Sequence, residues 1–288
     1  MRFPWRDRHG RFLPLKAAVL SLTPLPGLVY LALWVHGDLG GRALNEVIHA
    51  TGNWTVRWLL LSLAITPLAR IANWPGLLLV RRMVGVTAAV YAAIHLCLYI
   101  ADQKYNLATV VSEIVFRFYL TIGFVALLGL IALAATSTDS AMKRMGRAWK
   151  QLHRLVYPIG VLALLHFYIQ TKANVAEPVL VSGLFAWLMV WRVLPMPRRL
   201  ALGTLYALVP VAAALTVALE FAWYGLATRI DPFRILSANW AANFFPRPAH
   251  EVAAIALAIA AGVTVRRWMV GRTPQVASRS VRAGAAKG

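Results

Sequence analysis

The segment LHRLVYPIGVLALLHF, residues 152–167, carries two histidines, His153 and His166, at opposite ends of an otherwise apolar run. As an α-helix it rises about 24 Å at 1.5 Å per residue, most of a hydrocarbon core about 30 Å thick. Ionisable groups inside a bilayer are rare, face the interior of a helix bundle, and mark function by default. How this run is read therefore decides both the fold and the place of its chemistry.

The rest of the chain agrees with a membrane reading. It has 288 residues of which 14% are charged, against about 25% in an ordinary soluble domain, and its mean hydropathy is +0.64. Apolar runs fall at about 15–35, 56–71, 83–101, 117–136, 152–170, 178–194, 200–224 and 251–268, each able to cross a bilayer as a helix. The pattern predicts an all-α integral membrane protein. Its one internal shift is WRVLPMPRRL, residues 191–200, with two prolines and three arginines. That shift predicts a six-helix unit over 1–199 and, over 200–288, two additional C-terminal transmembrane helices with a basic tail. The N-terminal MRFPWRDRHGRFLPLK reads as a cytoplasmic tail, because no small-residue cleavage site closes the run that follows.

A formal net charge of +20 raises nucleic acid as a partner, and the distribution of charge argues against it. With the N-terminus inside, twenty-two of the thirty Lys and Arg fall in inner tails and loops, and eight fall outside. The bias orients the chain with both termini in the cytoplasm. Only Asp7 and Asp139 of the ten acids lie inside. The tail RTPQVASRSVRAGAAKG is expected to lie on anionic lipid. The aromatic loop GLATRIDPFRILSANWAANFFPRPAH between the last two spans suits the membrane interface through Trp240, Phe244 and Phe245. A lone cysteine, Cys97, excludes an intrachain disulfide, a cysteine-ligated iron–sulfur cluster and covalent haem attachment, and reads as a small core residue.

Of seven histidines, His9, His36, His49 and His250 fall in tails or near outer loops, where a hydrated imidazole costs little. His95, His153 and His166 fall within spans. His95 stands thirteen residues beyond Arg82, and His166 thirteen beyond His153, so both lie about 20 Å from the inner boundary on parallel helices. Two neutral imidazoles at one depth suit the two axial positions of a haem between helices. Zinc prefers four ligands, and no Cys, Asp or Glu shares that depth. Ala92, Ala93 and Ala163 would let a flat ring approach. His153 projects about 140° from His166 on an ideal helix, with Pro158 between them to kink it. It is a candidate ligand for a second, inner haem. Arg81 and Arg82 suit haem propionates or a flavin phosphate, beside their ordinary role in the positive inner belt.

The segments HATGNWTVRWLLLSLAITPLARI (49–71), RRMVGVTAAVYAAIHLCLYIADQ (81–103), RFYLTIGFVALLGLIALAATSTDSAMKRMG (117–146) and WKQLHRLVYPIGVLALLHFYIQTKA (149–173) closely resemble the MsrQ (YedZ) family. These are haem-binding membrane subunits of the periplasmic methionine sulfoxide reductase system, within the ferric-reductase-like transmembrane superfamily. The resemblance implies a six-helix haem b cytochrome of the bacterial inner membrane, an electron-transfer subunit rather than the catalytic one. Electrons would come from the quinone pool or a cytoplasmic flavin reductase, and pass to a periplasmic molybdopterin-containing methionine sulfoxide reductase that repairs oxidised proteins. It places the haem ligands at His95 and His166, with His153 as the third histidine of the pattern. The family is also described as flavin-binding (FMN), and no glycine-rich phosphate motif here locates that site. Typical members end near the sixth helix, whereas this chain runs on for about 90 residues. Two rivals stand beside this reading: a stand-alone ferric or quinone reductase on the same haem core, and a proton-coupled transporter using the histidines as a relay.

Overall fold

The computed structural model describes residues 5–6, 10–171 and 174–272. His9, Lys172 and the basic C-terminal tail lie outside them. Every regular element among the described residues is helical, apart from an isolated bridge between Arg6 and Phe12. In chain order the α-helices are α1 (Pro14–Leu22), α2 (Leu25–His36), α3 (Ala43–Ile71), α4 (Arg81–Asp102), α5 (Leu107–Phe116), α6 (Phe118–Ala135) and α7 (Asp139–Met145). They continue as α8 (Arg147–His153), α9 (Val156–Thr171), α10 (Ala176–Val193), α11 (Met196–Leu200), α12 (Leu202–Ala227), α13 (Pro232–Ala238) and α14 (Pro248–Arg272).

Seven spans among the described residues are long and apolar enough to cross a bilayer, taking α1 with α2 and α8 with α9 as single spans. The sequence predicts eight. The missing one is the run at 56–71, which belongs to α3. That helix begins thirteen residues earlier and carries Glu46, His49, Asn53 and Arg57, which lower its apolar content. At 29 residues it rises about 43 Å. It packs against α4, α9 and α10, so neighbouring helices rather than lipid solvate much of its surface.

Local signals set the helix ends. Asn106 accepts a hydrogen bond from the Thr109 N–H at the start of α5, and Thr138 accepts from the Ala141 N–H at the start of α7. Each satisfies one of the orphan donors of a first turn. Pro158 has no N–H for the Arg154 carbonyl four residues back, which takes the Tyr157 N–H at 3.2 Å instead. The helical run breaks at Arg154–Leu155, where a proline at 158 is expected to interrupt it. The break at Arg154–Leu155 puts His153 on the short α8, and the angle projected along one continuous helix does not apply.

Two apolar clusters organise the interior. One joins α3, α4, α6 and α9 through residues such as Leu59, Ala88, Leu127 and Ala163. The other joins the end of α3 to α10, α12 and α14 through Ile71, Trp191, Leu205, Ala212, Val252 and Ala256. Gly183 on α10 lets α12 approach closely, since a Cβ there would collide with Thr216. Large apolar side chains such as Val90, Ile94, Leu128, Val161 and Leu257 remain exposed, as hydrocarbon contact requires. Cys97 joins this outward face and is exposed, against the core position expected of it.

Arginines fasten the last helices to α3. Pro67 has no N–H to give the Leu63 carbonyl, and the Arg192 Nη2 of α10 donates to that carbonyl at 2.6 Å. At the C-terminus of α3, Arg267 Nε donates to the Ile71 carbonyl at 2.6 Å and Arg266 Nε to the Ala72 carbonyl at 3.1 Å. These are terminal carbonyls without intrahelical partners. At the other end of the α12–α14 pair, Glu220 is 3% exposed; it pairs with Arg247 at 2.5 Å and accepts from Asn239 Nδ2 at 3.2 Å.

The Leu63 carbonyl gives a test of this architecture. Arg192→Gln strands a buried acceptor, at a cost of about 1–3 kcal/mol. In a Pro67→Ala background the restored N–H serves that carbonyl, and the same substitution is expected to cost much less. Thermal unfolding in detergent of the four proteins of this double-mutant cycle measures the coupling.

Candidate cofactor site

His95 on α4 and His166 on α9 face each other across a cavity. Both helices pack against α3 and α6, and the lining includes His49, Gly52, Ala92, Gly123 and Ala163 as well as the two histidines. The two imidazole ring centres are 6.4 Å apart, with their planes at 81°. Two imidazoles bonded through Nε2 to one metal at about 2.0 Å each would have ring centres a little over 6 Å apart. The spacing fits one metal ion between the rings.

Each ring is held from behind. His95 Nδ1 lies 2.8 Å from the Ile48 carbonyl of α3, and His166 Nδ1 lies 2.8 Å from the Tyr119 carbonyl of α6. A carbonyl only accepts, so each Nδ1 carries the proton and donates it. In a neutral imidazole this leaves Nε2 as the lone-pair nitrogen. A buried imidazole has one donor and one acceptor to satisfy; the backbone satisfies the donor and the cavity receives the acceptor.

Among the described residues, no Asp, Glu, Lys, Arg or Cys lines this cavity, and no group of three or more potential metal ligands occurs. The described residues therefore offer no four-ligand zinc set. The nearby charges are paired with one another. Glu177 takes Asn53 Nδ2 at 2.8 Å and an ion pair from Arg57, and Glu113 takes the Tyr99 hydroxyl at 2.5 Å and Arg117 at 2.6 Å. Ala92 and Ala163 line the cavity with the two histidines, whereas Ala93 is not part of the lining.

His153 belongs elsewhere. It lines a second cavity of 710 Å³ with Arg6, Lys16, Arg81, Arg82, Ser62 and Trp149. Its Nε2 is 3.2 Å from the Thr136 hydroxyl, and its ring stacks on Trp149 at 4.0 Å. Trp149 Nε1 donates to the Thr136 carbonyl at 2.9 Å. Arg82 pairs with Asp139 at 2.5 Å. Of the residues singled out in the sequence, His95 and His166 are thus brought together in one site, and His153, Arg81 and Arg82 in another. Among the described residues, His153 is the only histidine lining the second cavity.

His49 is the residue that sequence reasoning missed. It was assigned to hydrated surface, yet it lines the first cavity beside the paired histidines. Its place one residue after Ile48, at helical spacing from Gly52, Asn53 and Val56, was the available signal: those positions share one face of α3 and all line the cavity.

A membrane helix bundle presenting two opposed, backbone-anchored imidazoles across an uncharged cavity defines a class of membrane cofactor-binding proteins. Residues 51–164 match the family model described as the ferric reductase like transmembrane component. Several curated relatives carry the name protein-methionine-sulfoxide reductase heme-binding subunit MsrQ. That of Xanthomonas euvesicatoria is 42% identical over 180 residues, 62% of this chain and 83% of the relative. That of Rhodospirillum rubrum is 40% identical over 196 residues, 67% of this chain and 92% of the relative. The chain belongs to the MsrQ family of ferric-reductase-like membrane proteins. No solved structure matches it.

Ala163 is 8% exposed and lines the space beside His166. Ala163→Leu is expected to retain the helical circular dichroism, at an overpacking cost of about 1–3 kcal/mol, and to weaken uptake of added haemin at least tenfold. Haemin titration of the purified protein reads this directly.

Proposed function

We propose that the chain is the membrane electron-transfer subunit of a methionine sulfoxide reductase system, with His95 and His166 as the axial ligands of a haem b. The observation that carries this reading is the pair of opposed rings, 6.4 Å apart and each held through Nδ1. The haem supplies a one-electron ferric–ferrous couple when bound. The protein's residues do the rest. His95 and His166 would hold the iron through Nε2, Ala92 and Ala163 would leave room for a flat macrocycle, and the mostly apolar lining would surround it. No side chain has to act as acid, base or nucleophile.

We place electron uptake at the second cavity, in the basic end of the bundle that the arginine distribution orients toward the cytoplasm. His153, Arg81 and Arg82 there suit an anionic group on a planar redox partner: the phosphate of FMN or the propionates of a second haem ligated by His153. The donor is the quinone pool or a cytoplasmic flavin reductase. His166 lies ten residues into α9 from Val156, about 15 Å along the axis, so the two sites are displaced across the membrane. Electrons therefore leave at the periplasmic side of the bacterial inner membrane, toward a molybdopterin-containing reductase. Residues 1–199 form the cytochrome unit in this reading, and 200–288 a flanking extension.

The purified protein is expected to show a Soret band that shifts on dithionite reduction. His95→Ala and His166→Ala should each abolish this haem, and His153→Ala should spare it. Full haem content in both of the first two variants sinks the ligand assignment. Stopped-flow reoxidation of the reduced protein separates the partner from the rival reading: oxidation by the periplasmic reductase and not by ferric chelate supports the subunit role, and the reverse supports a stand-alone ferric reductase.

A further inference from the structure

The two histidine anchors share a construction that the ligand assignment alone does not require. The acceptor of His95 is the carbonyl of Ile48, and the residue four positions on is Gly52. The acceptor of His166 is the carbonyl of Tyr119, and the residue four positions on is Gly123. Inside an α-helix the carbonyl of residue i already receives the N–H of residue i+4, so a side-chain donor must reach its second lone pair from the helix surface. Side chains lean toward the helix N-terminus, and the surface over a given turn is covered by a residue from the next one. The side chain at i+4 therefore stands close to where an imidazole must lie to reach carbonyl i.

The measured spaces agree. A Cβ built on Gly52 would lie 3.2 Å from both Nδ1 and Cε1 of His95. One built on Gly123 would lie 2.7 Å from Nδ1 and 2.8 Å from Cε1 of His166. In both cases the crowded atoms belong to the ring itself, and Nδ1 is the atom that makes the bond. The Ile48 carbonyl stays open to His95, since the Thr51 hydroxyl, 2.9 Å from both the Val47 and Ile48 carbonyls, can give its single proton to Val47.

We propose that Gly52 and Gly123 are positioning residues: by lacking a side chain, each admits one axial imidazole to a helix carbonyl and so sets the donor strength of its Nε2. An Nδ1–H···O=C bond raises the basicity of the ligating nitrogen, which favours the ferric state of the bound iron. Loss of the bond makes the ferric state less favourable and moves the midpoint potential in the positive direction. The proposal rests on His95 and His166 being the axial ligands.

The test compares Gly52→Ala, Gly123→Ala and Gly129→Ala in purified, haem-loaded protein, by spectroelectrochemical titration and by electron paramagnetic resonance of the ferric form. Gly129 is the control. It lies on α6 with Gly123, and a Cβ there would crowd only the end of the Ile159 side chain, at 2.6 Å from Cδ1, outside the cavity lining.

Gly52→Ala, the milder clash, is expected to keep its haem with a positive shift of up to a tenfold change in the ferric–ferrous equilibrium, 59 mV for one electron. Its low-spin signal should also alter. Gly123→Ala is expected to do more, losing haem or shifting part of it to high spin. Gly129→Ala should match the wild type in both measurements. Unchanged potential and low-spin signal in Gly52→Ala and Gly123→Ala would overturn the proposal, as would an equal shift in Gly129→Ala. If instead His95→Ala and His166→Ala keep their haem, the ligand reading has failed and this inference with it. If those two lose haem while Gly52→Ala and Gly123→Ala behave as wild type, only the present inference fails.

Discussion

A neutral imidazole in an apolar interior has one proton to give and one lone pair to fill, and the helix backbone takes the first and leaves the second. The carbonyls of Ile48 and Tyr119 take the protons of His95 and His166, which leaves Nε2 of each ring as the lone-pair nitrogen in the cavity the two histidines line. Everything distinctive about the site follows from that constraint. It needs α3 and α6 at fixed registers beside α4 and α9, because sliding either helix by one residue would carry the accepting carbonyl round by about 100°. Among the described residues the cavity wall carries no carboxylate, a group that would compete for the same protons.

The scaffold meets this demand by concentrating its polar fasteners on α3. That helix supplies the Ile48 carbonyl near one end, accepts Arg192 where Pro67 leaves a gap, and accepts Arg266 and Arg267 at its last turn. Arg266 also stacks over Trp74 at 4.3 Å, just beyond the helix. The extension made of α12 and α14 therefore does more than lie beside the bundle. It completes the hydrogen bonding of the helix that positions His95.

Much of this was legible in the sequence, and the boundary of legibility has physical causes. Hydropathy gave the spans because lipid selects for apolar length, and equal spacing from Arg82 and His153 gave His95 and His166 a common depth because helical rise is constant. The same spacing argument worked despite the break before α9, since a short interruption changes direction around the axis far more than depth along it. Hydropathy marked only the second half of α3, from 56 to 71, since Glu46, His49 and Asn53 make its first half too polar to register, and such residues are tolerated where protein neighbours replace lipid. It also misplaced His49, because closeness in sequence to a loop says nothing about which face of a helix a residue occupies. Pro158 reads as a kink, and the helical run is interrupted one turn before it, at Arg154–Leu155; what the sequence does not give is how far that interruption turns the residues on either side.

The arginines at the basic end carry a double duty. Lys and Arg in short loops fix which way a membrane chain inserts, yet Arg192, Arg266 and Arg267 are also the donors that serve α3 carbonyls lacking an intrahelical N–H. Insertion topology and tertiary assembly are thus written with the same letters. A final helix threaded in the wrong direction would carry its guanidinium groups to the far leaflet and leave the end of α3 bare, so a mis-threaded chain is denied the fasteners of the finished bundle.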